Sequence, residues 1–332
     1  MRTALCALGI VVVAFLAWAA AWYEGQVGGS PGGAREVLTV AKGTSVSGVA
    51  STLAKDHVVS STLAFRFYLV FHGTPVVQPG SYLMRQHEAF DAVRESLAGG
   101  PDVFPVTLPP GFTVYETASR VGQLPGKDAS TFLALATSGA VQSPLEAPGS
   151  TNLDGLLGTG TYLVLPGESD TTLLEQMVQR FDAQAQSEGL AQGAAALGLS
   201  PYQAITAASI VQKEGVYPQN LAKVARVIYN RLARGMDLQM DSTVLYAEHR
   251  DGGTVTSADL ALQSPYNTYL HAGLTPSPIC FPSQASIEAA LSPAQGSWLY
   301  FVVVSADGTE AFSNTLAEQE ANEALAKSRG LP

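Results

Sequence analysis

From Ala4 to Tyr23 the chain is an almost unbroken apolar run without a charge, bounded by Arg2 on one side and Glu24 on the other. About 20 apolar residues are needed to cross the hydrocarbon of a bilayer, so this run predicts a membrane helix. The positive flank predicts a cytoplasmic N-terminus and an exported bulk, with Trp18, Trp22 and Tyr23 at the outer interface. A cleaved signal peptide, with Ala19-Ala20-Ala21 as its small-residue site, is the competing reading. The apolar stretch of such a peptide is usually shorter than about 15 residues, which favours the anchor.

After the run the pattern changes repeatedly. Gly25 to Arg35, rich in Gly and carrying Ser30-Pro31, reads as a flexible tether. Val37 to Val40 alternates like a strand, and Val46 to Asp56 has helical periodicity with Val49, Leu53 and Ala54 inward. Ser60-Ser61 can cap a second helix carrying Leu63, Phe67, Leu69 and Val70, and Gln78-Pro79-Gly80 turns back into a strand at Ser81 to Leu83. Val106 to Thr113 repeats the strand, Gly turn and Thr of the Leu38 to Ser45 stretch, as a short internal repeat would. Ser138 to Gly167 is loop-rich, and Thr171 to Glu188 is an amphipathic helix with Leu173, Leu174, Met177, Val178 and Phe181 inward. Asn220 to Arg234 and Ser286 to Leu291 read as helices, Trp298 to Val304 as a strand returning through Asp307-Gly308 to Glu310-Ala311-Phe312, and Leu316 to Ser328 as a closing helix. These elements predict an α+β protein.

The helix that most affects function is Ser200 to Gly215. Ser200 is a good N-cap, Pro201 fits the first turn and Gly215 is a natural stop. Ala204, Ala207, Ala208, Ile210 and Val211 fall on one side; Thr206, Ser209, Gln212 and Lys213 fall on the other. Glu214 lands on the apolar side, where desolvation raises a carboxyl pKa and suits it to act as a general acid. The alternative is a boundary acid at a frayed C-terminus, with Gly215 giving it a path to solvent. Asp241-Ser242-Thr243 can cap a short helix through Tyr246, which leaves Asp241 either a cap or a contact residue.

A composition 46% hydrophobic and 14% charged excludes wholesale disorder, and 332 residues allow about two domains. The net charge of −10 argues against nucleic acid or an anionic lipid surface as partner, since both are recognised by basic faces. His57, His72 and His87 lack metal-ligand spacing, and no metal or cofactor is expected. Gly155-Leu156-Leu157-Gly158-Thr159-Gly160 lacks the preceding strand, following base and distant acid of a nucleotide loop, so it reads as a turn-rich connection. Cys6 lies inside the apolar run, apart from Cys280, and no disulfide is expected.

Ala208-Ser209-Ile210-Val211-Gln212-Lys213-Glu214, Asn230-Arg231-Leu232 with Gly235 to Val244, and Ser264-Pro265-Tyr266-Asn267-Thr268-Tyr269 with Gly273-Leu274 and Pro276 resemble, in order, the motifs of the MltG (YceG-like) endolytic murein transglycosylases. The resemblance covers nearly the whole chain. It implies a membrane anchor in 1–24, a linker in 25–36, a small LysM-like α+β module in 37–106 and a mixed α+β catalytic domain in 107–332. It further implies cleavage within peptidoglycan strands of the β-1,4 bond after N-acetylmuramic acid, leaving a 1,6-anhydro end, in an enzyme of the bacterial cell membrane. A cell-wall synthase is the partner the family suggests. Glu214 is the catalytic acid by this resemblance; Tyr266, Asn267 and Thr268 contact sugar, and Gln239 and Asp241 form the cleft wall. Tyr266 and Tyr269 are equally compatible with a core role.

One carboxyl group suffices for this chemistry, whereas a hydrolase pairs its acid with a second carboxylate, for which Asp241 or Glu168 would be the candidates. Where the family usually reads Leu-Phe-Pro-Asp-Thr-Tyr, this chain has Leu157-Gly158-Thr159-Gly160-Thr161-Tyr162, and two histidines typical of its C-terminal segment are Glu310 and Gln319. Those departures bear on the shape of the cleft, and the altered loop is the best support for a non-catalytic glycan-binding scaffold.

Overall fold

In the computed structural model residues 2–30, 32–215 and 217–331 are described, the side chains of 2–9 excepted. The side chain of Cys6 and residue Pro31 thus lie outside the described residues, while Cys280 is a free, buried thiol. The chain forms two units, one running to Pro105 and including Leu163–Glu168, the other made of Val106–Tyr162 and everything from Ser169 onward.

In the first unit, helix α1 (Arg2–Val27) continues the apolar run one turn past Tyr23. Strand β1 (Arg35–Val40), α2 (Val46–Lys55), α3 (Thr62–His72), β2 (Gly80–Arg85) and α4 (Phe90–Gly99) follow. β1 and β2 are antiparallel, with Leu38 opposite Tyr82, and the alternation that predicts β1 sends Leu38 and Val40 inward. Ser45 caps α2 and Ser61 caps α3, each accepting the amide three residues on. The core is Leu38, Val49, Leu53, Phe65, Tyr82, Met84 and Phe90 with their neighbours. His72 stacks on Tyr68, and His57 and His87 occupy left-handed backbone positions.

One expectation is corrected here. The tether is not loose: the Ser30 amide donates to the His87 carbonyl at 2.6 Å and Gln86 to Ala34 at 2.9 Å. Gly29 and Gly33 lie so close to residues 86–89 that a Cβ on either would collide with backbone. These glycines are there for close approach, which composition cannot distinguish from flexibility. Helix α3 has apolar residues on two sides and buries one of them. Ala64, Phe65, Tyr68 and Leu69 are buried, while Leu63, Phe67 and Val70 point outward. Apolar residues occupy both sides of this helix, so periodicity could not choose between them.

The strands β3 (Phe104–Leu108) and β4 (Gly160–Val164) form a second two-stranded sheet. The second unit continues with α5 (Val114–Val121) and α6 (Ala129–Thr137), before β4, and then α7 (Asp170–Ser187) and α8 (Leu190–Ala196). Its centre is α9 (Pro201–Glu214), which starts on a reciprocal cap. Ser200 accepts the Gln203 amide and Gln203 accepts the Ser200 amide. Around α9 lie α10 (Leu221–Ala233), preceded by a 3₁₀ turn at Pro218–Asn220, then α11 (Asp241–Ala247), α12 (Ser257–Leu260) and α13 (Gln284–Leu291). Strands β5 (Tyr300–Val303) and β6 (Glu310–Ser313) form an antiparallel hairpin against which α14 (Leu316–Ser328) packs.

The expected polar side of α9 is absent, because Thr206 and Ser209 are buried like the alanines. Helices α8, α10, α11 and α13 pack around α9, and its hydroxyls are consumed within that shell. Thr206 donates to Tyr202 O, and Ser209 donates to Thr206 O while accepting the Ile279 amide at 3.0 Å.

Candidate active site

Glu214 ends this helix half-buried, past its fully buried stretch, and the chain leaves the helix at Gly215. The Gly215 amide bonds back to Val211 O, and a Cβ there would meet the Leu221 side chain, which would have to shift. Burial pushes the Glu214 carboxyl above the usual carboxylate range, and the negative charges of Asp241 and Glu310 push the same way. Opposing them, the Ser242 hydroxyl donates to Oε1 at 2.5 Å and the Ser242 amide donates to the same atom at 3.2 Å. Since Oε1 accepts both bonds, the acid proton belongs on Oε2.

Glu214 and Asp241 together line two cavities. One, of about 310 Å³, also has Tyr115, Glu116, Lys213, Ser242, His249 and Asp251 on its walls. The other, of about 520 Å³, has Arg231, Gln239, Tyr269, Tyr300, Gln319 and Glu323. An acid placed where two cavities meet has room for ligand on both sides of a single bond.

Sequence-predicted residues divide into those at the surface of this cleft and those behind it. Gln239 is exposed on the wall, held in a left-handed backbone conformation (φ 52°), with its side chain accepting from Arg231 Nη1 at 3.3 Å. A non-glycine residue in that region stores strain of the kind found at functional positions. Asp241 is also exposed and accepts the Tyr269 hydroxyl at 2.6 Å. It occupies the first turn of α11, with Met240 at the cap position, so the capping role is corrected.

Asn267, Thr268 and Tyr266 stand behind the cleft surface. Asn267 is fully buried, donating to Leu260 O and Leu262 O and accepting the Tyr269 amide. Thr268 is buried as well: its hydroxyl accepts the Met240 amide at 3.0 Å and its carbonyl accepts the Gln239 amide at 3.0 Å. Tyr266 bonds Ser277 at 2.7 Å and packs on Tyr246, outside both cavities. The Ser264 to Tyr269 segment therefore buttresses Gln239-Met240-Asp241 from behind and presents Tyr269 at the cleft.

Three residues without an expected role prove central. Ser242, which orients the acid, sits inside the quoted 235–244 motif, where its position beside Asp241 was the available signal. Buried Arg231 donates to Leu299 O, Asp237 O and Leu238 O, tying the Gln239 wall to the strand hairpin. Asp154 is buried beneath the smaller cavity, accepting the Val114 amide at 2.6 Å and the Tyr246 hydroxyl at 2.5 Å. Desolvation pushes its carboxyl upward too.

The altered stretch 157–162 lines neither cavity. Gly158 packs against Arg180 and Phe181 of α7, and Tyr162 donates to Gly158 O. Glu310 and Gln319 do bear on the cleft. Glu310 accepts Asn220 Nδ2 at 2.7 Å and acts electrostatically on Glu214, and Gln319 lines the larger cavity. Of the two carboxylates a hydrolase could recruit, Asp241 shares the cavities with Glu214, whereas Glu168 accepts the Leu165 amide.

An α+β unit holding one half-buried glutamic acid, its pKa raised by desolvation, between two open cavities defines a protein suited to protonating a bridging atom of an extended ligand. The YceG-like family profile matches residues 38–324, and the chain belongs to that family. It is 32% identical over 302 residues to the endolytic murein transglycosylase of Bacillus subtilis, covering 85% of this chain and 82% of that protein. With the endolytic murein transglycosylase of Streptococcus pneumoniae strain D39 it shares 28% identity over 326 residues, covering 85% of this chain and 57% of that longer protein. A crystal structure of a YceG-like protein from Listeria monocytogenes superposes with a TM-score of 0.61 at 25% identity, covering 86% of this chain and 98% of that one.

Proposed function

We propose that this chain is an endolytic lytic transglycosylase of peptidoglycan, held in the bacterial cell membrane by α1 with its N-terminus cytoplasmic and its catalytic domain outside. The single observation that carries the reading is Glu214 at the junction of two cavities, where burial raises its pKa. Glu214 Oε2 protonates the glycosidic oxygen after N-acetylmuramic acid, and the C1–O bond breaks. The sugar's own 6-hydroxyl closes on C1, and its proton returns to Glu214. One bond is lost, one is formed, the acid is regenerated and no water is consumed. A carboxyl group that cycles in this way is served by a pKa raised by burial.

Gln239 and Asp241, exposed on the cleft wall, are assigned to direct contact with the glycan, and Tyr269 joins them. Residues 37–106 serve as a LysM-like module that places substrate, 107–332 perform the chemistry, and termination of nascent strands beside a synthase is the physiological role. The test is mass analysis of fragments from purified sacculi. Fragments lighter by one water than hydrolysis products, with C1 joined to O6, support the proposal. Fragments with a reducing end make Asp241 a base for water and the enzyme a hydrolase, and intact glycan leaves only a binding scaffold.

A further inference from the structure

Helix α3 carries an apolar stripe on its outer side: Leu63, Phe67, Val70 and Phe71, at the spacing of one helical face, with Val76 just beyond. Leu63, Val70 and Phe71 are 73%, 75% and 67% exposed, and Val76 is 85% exposed. This surface is not needed to fold the module, whose core lies on the opposite side of the same helix. A contiguous exposed patch of this kind marks a contact surface.

Its occupant follows from where α1 joins the module. Helix α1 packs on α3, Tyr23 and Val27 rest against the module core, and Ser60 donates to the Gln26 carbonyl at 3.2 Å. The Phe67 ring meets the Tyr23 ring edge-on at 5.5 Å between centroids, and Phe71 meets Phe67 at 4.8 Å. Tyr23 is the last residue of the apolar run, and Trp22 beside it is exposed. Aromatic residues at the end of a span sit at the headgroup level. A side chain touching Tyr23 is at that depth, and the contacts of Gly29, Ser30, Gly33 and Ala34 with residues 86–89 hold the module close to the end of α1.

We propose that the outer face of α3 docks into the outer leaflet of the membrane, as an interfacial helix continuous with the anchor. This rests on α1 being a membrane anchor. The contact is apolar, which agrees with the net charge of −10, and Arg66 is the one cation of the helix, beside the stripe. Docking fixes the module against the bilayer surface and so sets the height at which substrate is presented.

The experiment uses the full chain in phosphatidylcholine proteoliposomes. A thiol-reactive NBD probe is placed in turn at Val13→Cys on the span, Phe71→Cys on the stripe and Glu95→Cys on the exposed side of α4; Cys6→Ser removes the span's own thiol and Cys280 is buried. Lipids carrying shallow or deep spin labels then quench the probe. The expected result is quenching of 13 by deep labels, of 71 by shallow labels and of 95 by neither, unchanged at high salt. Quenching of 13 without 71 overturns the docking and leaves the anchor standing. Quenching of neither overturns the anchor itself. Loss of the 71 signal at high salt, or protection of 71 together with cross-linking between copies, also overturns the proposal. Phe67→Glu with Phe71 labelled should abolish shallow quenching while the far-UV spectrum is preserved, because Phe67 is 53% exposed.

Discussion

The Ser242 hydroxyl lies 2.5 Å from Glu214 Oε1, and the amide of the same residue approaches the same oxygen from the start of α11. One residue thus orients the Glu214 carboxyl group twice, through Oε1, and leaves Oε2 outside both bonds.

Removing that orientation has two separable effects. A hydrogen bond donated to a carboxylate favours its charged form, so Ser242→Ala should raise the Glu214 pKa beyond its already raised value. The alkaline limb of the pH–rate profile should move to higher pH, while the maximal rate falls roughly tenfold for a positioning bond of about 1–1.5 kcal/mol. Rates measured from acid to alkaline pH check both; a limb that moves down contradicts the assignment.

Glu214→Gln keeps the shape but removes the transferable proton, so turnover should fall by about 10²- to 10⁴-fold or more. Its stability should change with pH in a defined sense. A carboxyl whose folded pKa is raised contributes stability that is present below its unfolded pKa and lost as pH rises through its folded pKa. Relative to wild type, the glutamine variant should therefore gain in Tm as pH rises above the ordinary carboxylate range. Thermal melts of the two proteins over that range make the comparison.

Arg231→Met leaves the carbonyls of Leu299, Asp237 and Leu238 without their donor. Each orphaned buried group costs about 1–3 kcal/mol, so a clear drop in denaturation midpoint is expected. Arg231→Lys should recover only part of it, because an ammonium cannot reproduce the fork.

Asn267→Ala and Gln239→Ala should behave oppositely. Asn267 is buried on loop carbonyls, so its loss should lower Tm by several degrees. Gln239 is exposed on the cleft wall, and its loss should weaken glycan binding, read as KM, with little change in Tm.

Orientation of the anchor is testable with reporters fused after Pro332. A reporter that works only outside the cytoplasm should be active, and a cytoplasmic one silent.

Local rules were sufficient for several parts of this protein. Ser200, Pro201 and Gln203 determine where α9 begins, Thr315 and Glu318 where α14 begins, and the alternation around Leu38 the first strand. The place of Glu214 at the end of a capped helix, within a family motif, was legible as well. Tertiary packing decided the rest. Asn267 and Thr268 are polar residues next to the site whose sequence cannot say whether they face solvent or backbone; the loop carbonyls at 260 and 262 and the amide at 240 claimed them. Gly29 and Gly33 read as flexibility until residues 86–89 closed against them. Ser242 gained its role only when α11 was laid across the end of α9, and the outward face of α3 was settled by which of two apolar sides met the module core. Periodicity and capping act within a few residues of chain, whereas burial of a particular face depends on partners distant in sequence.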